Sequence, residues 1–314
     1  MQVVIVADLG GTLLRTGLVT PARVLVHQST QRVGDRRGNA AIEALLRDAL
    51  REAYERARAQ ALEPVGAGLA VPGLVDPERG IIRYSANLDL RELPVAAIVR
   101  EVIPLPVVVE NDVRAAAWGE WRWGAGRSTR YMAYLSAGTG IAAAVISDGR
   151  LYHGATAAAG EVGHVPFVRD GDLCRCGQRG CLETVAGGWG IVQRAGQLAV
   201  QPDRRTTRRV NEGPLTTEDV FAAAAAGDAA ASTIIREAGE LLGQAAVATV
   251  RLWDPERLVL GGGLFFDGSP LTHAIRQAVA GSVFYGETPP PVHLAEFGGN
   301  SGLMGAACLV LAAG

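Results

Sequence analysis

The chain has 314 residues, enough for two domains, and a net charge of −2 that favours neither nucleic acid nor an anionic membrane. No apolar run approaches the roughly 20 residues needed to span a bilayer, and no signal peptide precedes the first strand, so a cytoplasmic protein is expected. Hydrophobic residues make up 48% and glycine fills 40 positions, which fits an α/β protein rich in tight turns, while all 30 basic residues are arginine.

In chain order, residues 3–7 form a β-branched run that ends in Asp8-Leu9-Gly10-Gly11-Thr12. Residues 14–20 and 24–33 follow as antiparallel partners. From 39 to 60 the apolar positions Ile42, Leu45, Leu46, Ala49, Leu50 and Ala53 keep a helical period. A strand over 65–70 leads into Pro72-Gly73, and a short helix is predicted over 94–101. The strand 107–109 runs into Glu110-Asn111-Asp112, at the mouth of an alanine-rich helix that Asp112 is placed to cap.

The pattern then restarts. A strand over 132–136, the turn Gly138-Thr139-Gly140 and a strand over 141–147 echo the first thirty residues. Helices are predicted over 184–200, 217–226 and 229–253, and a strand over 257–260 enters Gly261-Gly262-Gly263. A strand over 292–296 and a helix over 301–311 finish the chain. The arginine-rich stretch 204–209 reads as a solvated loop. No low-complexity linker appears, so the domain boundary is expected between Asp112 and Gly126.

Three glycine turns at strand ends suggest a cleft in which they converge on one polyphosphate. Glycine lets the backbone approach closely, and the N–H groups and a threonine hydroxyl can cradle phosphate oxygens. With no lysine in the chain, any other phosphate contact must come from arginine, a helix N-terminus or a metal ion.

Residues 159–183 read AGEVGHVPFVRDGDLCRCGQRGCLE. His164, Cys174, Cys176 and Cys181 have the ligand types and short spacings of a closed Cys3His zinc site. A disulfide is the weaker alternative, since three cysteines leave one unpaired. Glu161 and Glu183 bracket the ligands, and a structural zinc needs neither, which suggests that polar groups on this loop face a polar ligand. Thiols reserved for a metal fit a reducing cytoplasm. Cys308 lies in an apolar stretch and reads as core.

Seven segments together resemble the ROK family (repressor, open reading frame, kinase), and in particular its bacterial glucokinases. They are DLGGT (8–12), VPGLVD (71–76), VVVENDVRAAAWGE (107–120), AGTG (137–140), AGEVGH (159–164), CRCGQRGCLE (174–183) and VLGGG (259–263). The resemblance implies an α/β, actin-like (ribonuclease-H-like) ATPase fold of two domains with the site in the cleft between them. The N-terminal α/β domain would span 1–112, closed by a helix over 301–314. A larger C-terminal domain would span 113–300 and carry the zinc loop 161–183. The implied activity is ATP-dependent phosphorylation of a hexose, glucose first, at its 6-hydroxyl. Mannose, fructose, N-acetylglucosamine and N-acetylmannosamine are the alternative acceptors.

The resemblance also implies roles. Asp112 would be the general base. Gly73, Asn87, Asn111, Asp112, Glu161, His164 and Glu183 would read the sugar. Gly10, Gly11, Thr12, Gly138, Thr139, Gly140, Gly262 and Gly263 would hold the nucleotide, with Asp8 on Mg2+ through water. His164, Cys174, Cys176 and Cys181 match the family's Zn2+ ligands. This zinc would be structural, one ring nitrogen of His164 serving the metal and the other the sugar. A homo-oligomer, dimer or tetramer, is expected. Part of the family represses genes, but the first strand starts within three residues of Met1 and no basic stripe appears. A sugar-responsive regulator would therefore lack its DNA-binding module. The chain departs from the family pattern at Ala142-Ala143-Ala144, where glycines are common and added methyls would crowd a phosphate. Further departures are Arg114 for asparagine, Leu13 for lysine and Leu90 for tryptophan.

Overall fold

The computed structural model describes residues 1–199, 214–282, 286 and 288–313, so 204–209 and the expected helix end at Val200 lie outside the described residues. The first half runs β1 (Gln2–Leu9), β2 (Leu13–Val19), β3 (Leu25–Arg32), α1 (Asn39–Ala59), β4 (Glu63–Val71), β5 (Leu74–Asp76), β6 (Ile81–Ser85), β7 (Leu90–Leu93), α2 (Val95–Val102), β8 (Val107–Asn111) and α3 (Asp112–Trp123). The second runs β9 (Met132–Ala137), β10 (Ile141–Ser147), β11 (Arg150–Leu151), α4 (Leu182–Ala186), α5 (Gly188–Ala199), α6 (Thr217–Ala225), α7 (Ala229–Trp253), β12 (Arg257–Gly261), α8 (Pro270–Ala280), β13 (Val292–Leu294) and α9 (Ser301–Ala313). No helix among the described residues is long and apolar enough to cross a membrane.

Two five-stranded sheets share one plan. The first is ordered β3-β2-β1-β4-β8 and the second β11-β10-β9-β12-β13. In each, a strand, its neighbouring strand and an edge strand are followed by two parallel strands, so the restart at residue 132 is a topological repeat. This is the α/β, actin-like arrangement. A small sheet, β5-β6-β7, stands apart from both plans.

The chain divides into two compact units. The first comprises residues 1–130, 144–159 and 295–314, the second 131–143 and 160–294. The first break falls at Arg130/Tyr131, later than the expected 112/113, because α3 packs on α9. A Cβ on Gly119 would sit 2.8 Å from the Gly305 backbone, and one on Gly305 would run into the carbonyl of Ala115. Glu120 reinforces this seam. Its buried carboxylate accepts from the Ala125, Glu296 and Phe297 amides and the Ser301 hydroxyl, at 2.9–3.0 Å. Four donors satisfy a charge that would otherwise be costly to bury. Segment 295–300 thereby joins the first unit.

In the first unit, β1 is covered on both faces, which explains its unbroken apolar run. Val3 and Ile5 join a core with Leu46 and Leu50 of α1, whereas Val4 and Val6 face a core containing Leu303, Met304 and Ala307 of α9. The predicted stripe of α1 is buried as expected. The second unit's core joins Leu135 and Leu260 to Ile235 and Leu242 of α7 and Ile275 of α8. Helix α8, which the sequence reading passes over, starts with proline at an N-terminal position and ends at Gly281.

Glycine has opposite value at two helical positions. Gly305→Ala should destabilise by about 1–3 kcal/mol through overpacking. Gly196→Ala, with nothing within 4 Å of the new methyl, should stabilise by roughly 0.5–1 kcal/mol. Denaturant melts of both variants check this. Equal effects would refute the close-packed seam.

Candidate functional site

In the first unit, the sequence Glu110-Asn111-Asp112 spans the end of β8 and the start of α3. The expected cap, Asp112, is the first helical residue, and the cap itself is Asn111. Its Oδ1 accepts from the amides of Val113 and Arg114, both at 3.1 Å, and its Nδ2 donates to the Gly73 carbonyl at 3.1 Å. Asn111 thus ties the helix start to the Pro72-Gly73 turn. Gly73 has φ +98°, and a Cβ there would meet the carbonyl of Tyr84, so the turn requires glycine. Asp112 Oδ1 accepts from the Val113 amide at 2.9 Å.

Beneath this tip lies a network that the sequence reading does not anticipate. Glu110 is buried, and its Oε1 accepts from the Asn111 amide at 2.7 Å and Arg114 Nε at 2.8 Å. Its Oε2 lies 2.7 Å from His153 Nε2. Arg114 also donates to the Ala157 carbonyl at 2.8 Å. Burial raises the Glu110 carboxyl, but the His153 hydrogen bond and the Arg114 charge outweigh it and hold the group below its usual range. The departure at position 114 is therefore a buried ion pair. The i,i+4 spacing of Glu110 and Arg114 is the signal that could have revealed it.

Asp8, the next-to-last residue of β1, lies beside the start of α9, where a Cβ on Gly302 would lie 2.8 Å from its carboxyl carbon. Arg15 Nη1 stands 3.7 Å away and also donates to the Gly299 carbonyl. Desolvation by burial raises the Asp8 carboxyl from 3.8 to about 6, with Arg15 opposing. Asn87 is exposed near Gly11, whose added Cβ would come within 3.8 Å of the Asn87 Cβ. Leu90 is fully buried in the core under the small sheet, so its departure is one of packing.

In the second unit, Gly138-Thr139-Gly140 joins β9 to β10 and adjoins the turn after β12. The Leu264 amide donates to the Ala137 carbonyl at 3.0 Å, and a Cβ on Gly138 would lie 4.0 Å from the Gly263 nitrogen. Thr139, Gly262 and Gly263 are exposed. Ala143, suspected of crowding phosphate, is part of the buried core. Gly160 lies along β10, and its carbonyl accepts from the Ala143 amide at 2.7 Å.

The cysteine loop brings its four expected ligands together. One ligand atom each from His164, Cys174, Cys176 and Cys181 lie within 4.8 Å of one another. His164 Nδ1 is 3.6 Å from Cys174 Sγ, and Cys176 Sγ is 3.6 Å from Cys181 Sγ. A tetrahedral centre with bonds of about 2.0–2.3 Å has edges of about 3.5–3.8 Å, so the donor set fits a closed thiolate–imidazole metal site. All four cysteines of the chain are free thiols. Burial and neighbouring thiols raise Cys174, and raise Cys181 to about 12. Cys176 is held below its usual value, because hydrogen bonds from the Gln178 backbone and the other thiols outweigh its desolvation. Without a cation the cluster resists ionising together, which is the chemistry a metal resolves. His164 Nε2 faces away from the thiols, 3.9 Å from Glu161 Oε2.

Glu183, in α4, joins this loop to the glycine turn. Its Oε2 accepts from the Ile141 amide and its Oε1 from Trp189 Nε1, each at 2.9 Å. A Cβ on Gly140 would collide with this carboxylate. The single helix expected from residue 184 is broken at Gly187. The Gly188 and Trp189 amides donate instead to the Gly138 and Thr139 carbonyls, at 2.8 and 3.3 Å.

The ROK family model matches residues 4–313. The chain is similar to a glucokinase of Streptomyces coelicolor, 33% identical over 316 residues that cover 98% of each. It is similar to the solved structure of a ROK family glucokinase from Streptomyces griseus in complex with glucose and AMPPNP. Identity is 30%, the TM-score is 0.83, and 98% of each chain is covered. A ROK hexokinase from Thermus thermophilus is similar at 30% identity and a TM-score of 0.78, over 99% of this chain and 100% of that one.

Asp8 supplies a pH test. A carboxyl whose folded value exceeds its unfolded one favours folding while protonated, and this contribution is lost as pH rises through about 6. Asp8→Asn should therefore be more stable than the wild type above pH 6, by a margin that shrinks towards pH 4. Urea midpoints across pH 4–8 check this, and a margin that does not change with pH would contradict a desolvated, charged Asp8.

Proposed function

This chain belongs to the ROK family, and we propose that it is an ATP-dependent sugar kinase that phosphorylates the 6-hydroxyl of a hexose, with glucose as the preferred acceptor. The observation that carries the reading is the division of labour at the start of α3. Asn111 is the cap residue, and the Asp112 carboxylate follows it on the first helical residue, its Oδ1 also accepting from the Val113 amide. Asp112 accepts the 6-hydroxyl proton as the oxygen attacks the γ-phosphorus, and ADP leaves with the electrons of the broken P–O bond. The residues proposed to bind the sugar are Gly73, Asn87, Asn111, Glu161, His164 and Glu183, since carboxylates, amides and an imidazole pair well with hydroxyls that both donate and accept. Gly138, Thr139, Gly140, Gly262 and Gly263, with Gly10, Gly11 and Thr12, hold the nucleotide.

Asp8 would hold magnesium, which would supply the charge neutralisation that no lysine is present to give. Zinc is the metal for the thiolate–imidazole cluster. His164, Cys174, Cys176 and Cys181 would hold it, and four protein ligands leave no open position, so its role is to shape the loop. Bonding through Nδ1 leaves Nε2–H to face a sugar oxygen, with Glu161 beside it. A cluster of free thiols fits a reducing cytoplasm, where we place the protein.

Two tests address this reading. An ADP-release assay over glucose, mannose, fructose, N-acetylglucosamine and N-acetylmannosamine should give its highest kcat/KM with glucose, and Asp112→Asn should lower kcat by about 10²-fold or more. Near-native turnover in that variant would remove Asp112 from the chemistry. Metal analysis should find about one zinc per chain, and Cys176→Ser should lose it and weaken glucose binding while both units stay folded. Activity intact in metal-free protein would refute the zinc assignment.

A further inference from the structure

We propose that Trp189, backed by Arg175, is a positioning residue that locks the carbohydrate loop to the phosphate turn through Glu183, so that one side chain supports both substrates. The inference rests on the kinase reading and extends it to residues for which no role has been assigned. Trp189 engages the turn twice. Its backbone amide donates to the Thr139 carbonyl at 3.3 Å, and its indole Nε1 donates to Glu183 Oε1 at 2.9 Å. The other Glu183 oxygen takes the amide of Ile141, the residue that follows Gly140. Glu183 is thus held at one oxygen by the indole and at the other by the end of the phosphate turn.

Packing leaves no slack in this arrangement. A methyl on Gly187 would lie 2.8 Å from Glu183 Cγ, and one on Gly188 would lie 2.7 Å from the Gly138 carbonyl. The sequence Gly187-Gly188-Trp189-Gly190 therefore works as a floor for the turn, with two glycines giving close approach and the tryptophan giving the bond. On the other side, the Arg175 guanidinium stacks 4.6 Å from the Trp189 ring centre. Arg175 sits between Cys174 and Cys176, so the metal loop bears on the indole and the indole on Glu183. Each carboxylate oxygen keeps a second lone pair, which leaves Glu183 able to accept a sugar hydroxyl while it holds the turn. Without the indole N–H, the Glu183 carboxylate loses the bond that fixes its rotamer, and the turn loses its support at Ile141.

Trp189→Phe keeps an aromatic ring under Arg175 and deletes the N–H. Calorimetric titration with magnesium-AMPPNP and, separately, with glucose should show both dissociation constants raised about tenfold, the scale of a lost hydrogen bond to a charged group. Both KM values should rise with kcat at saturation nearly unchanged, a pattern that a merely structural role would not give. An unchanged nucleotide constant overturns the inference, whether or not glucose binding weakens. Should that variant fail to fold, Arg175→Gln, at an exposed position, gives the same test. It should weaken both ligands by about two- to threefold, and unchanged constants overturn the inference. Wild-type protein that binds neither ligand would strike down the kinase reading and this inference with it. Wild-type protein that binds both, with unaltered variants, would strike down this inference alone.

Discussion

The Glu183 carboxylate is the constraint on which the second unit's site depends. A charged group with its two oxygens on the Ile141 amide and the Trp189 indole has one rotamer available, and the backbone around it must conform. That requirement accounts for the glycine at 140, where any side chain would collide with the carboxylate, and for the break at Gly187. If α4 and α5 were continuous, the Gly188 and Trp189 amides would bond within the helix. The break turns them towards the Gly138 and Thr139 carbonyls. The Gly138-Thr139-Gly140 turn is thus held from beneath by amides and from one side by a carboxylate. Preorganisation of this kind lowers the ordering cost of binding.

The first unit uses a related device at the start of α3. Glu110 accepts from the Asn111 amide, Arg114 and His153, and Asn111 accepts from the helix amides while donating to Gly73. Here a buried carboxylate supports a glycine turn through a helix N-terminus. In both units the group that contacts substrate in our reading is held by neighbours that do not, as sites requiring precise geometry demand. The cysteine cluster extends this support in the second unit, since Arg175 lies between two of its ligands and stacks on the indole that holds Glu183.

Much of this was legible in the residues. The β-branched run of β1, the period of α1 and the restart at residue 132 are repeating signals, and repetition is what sequence patterns preserve. The spacing of His164, Cys174, Cys176 and Cys181 was legible because the turns joining the ligands are short and local. Strands β5 to β7 were not, because three to five residues carry too little alternation to stand out. The start and stop signals of α8 were present at Pro270 and Gly281 and went unread. The capping role of Asn111, the seam between Gly119 and Gly305, and the grip of Trp189 on Glu183 depend on partners distant in sequence or on a choice between adjacent polar residues. Local pattern is silent on both.

Amide hydrogen exchange at Ile141 tests most directly whether one carboxylate serves both the sugar loop and the phosphate turn. The Ile141 amide donates to Glu183 Oε2. It should be protected in the unliganded protein, and saturating glucose alone should slow its exchange further, because a sugar that engages Glu183 tightens the same bond. Exchange at Ile141 that is fast in the free protein, or unchanged by glucose at saturation, would contradict the account.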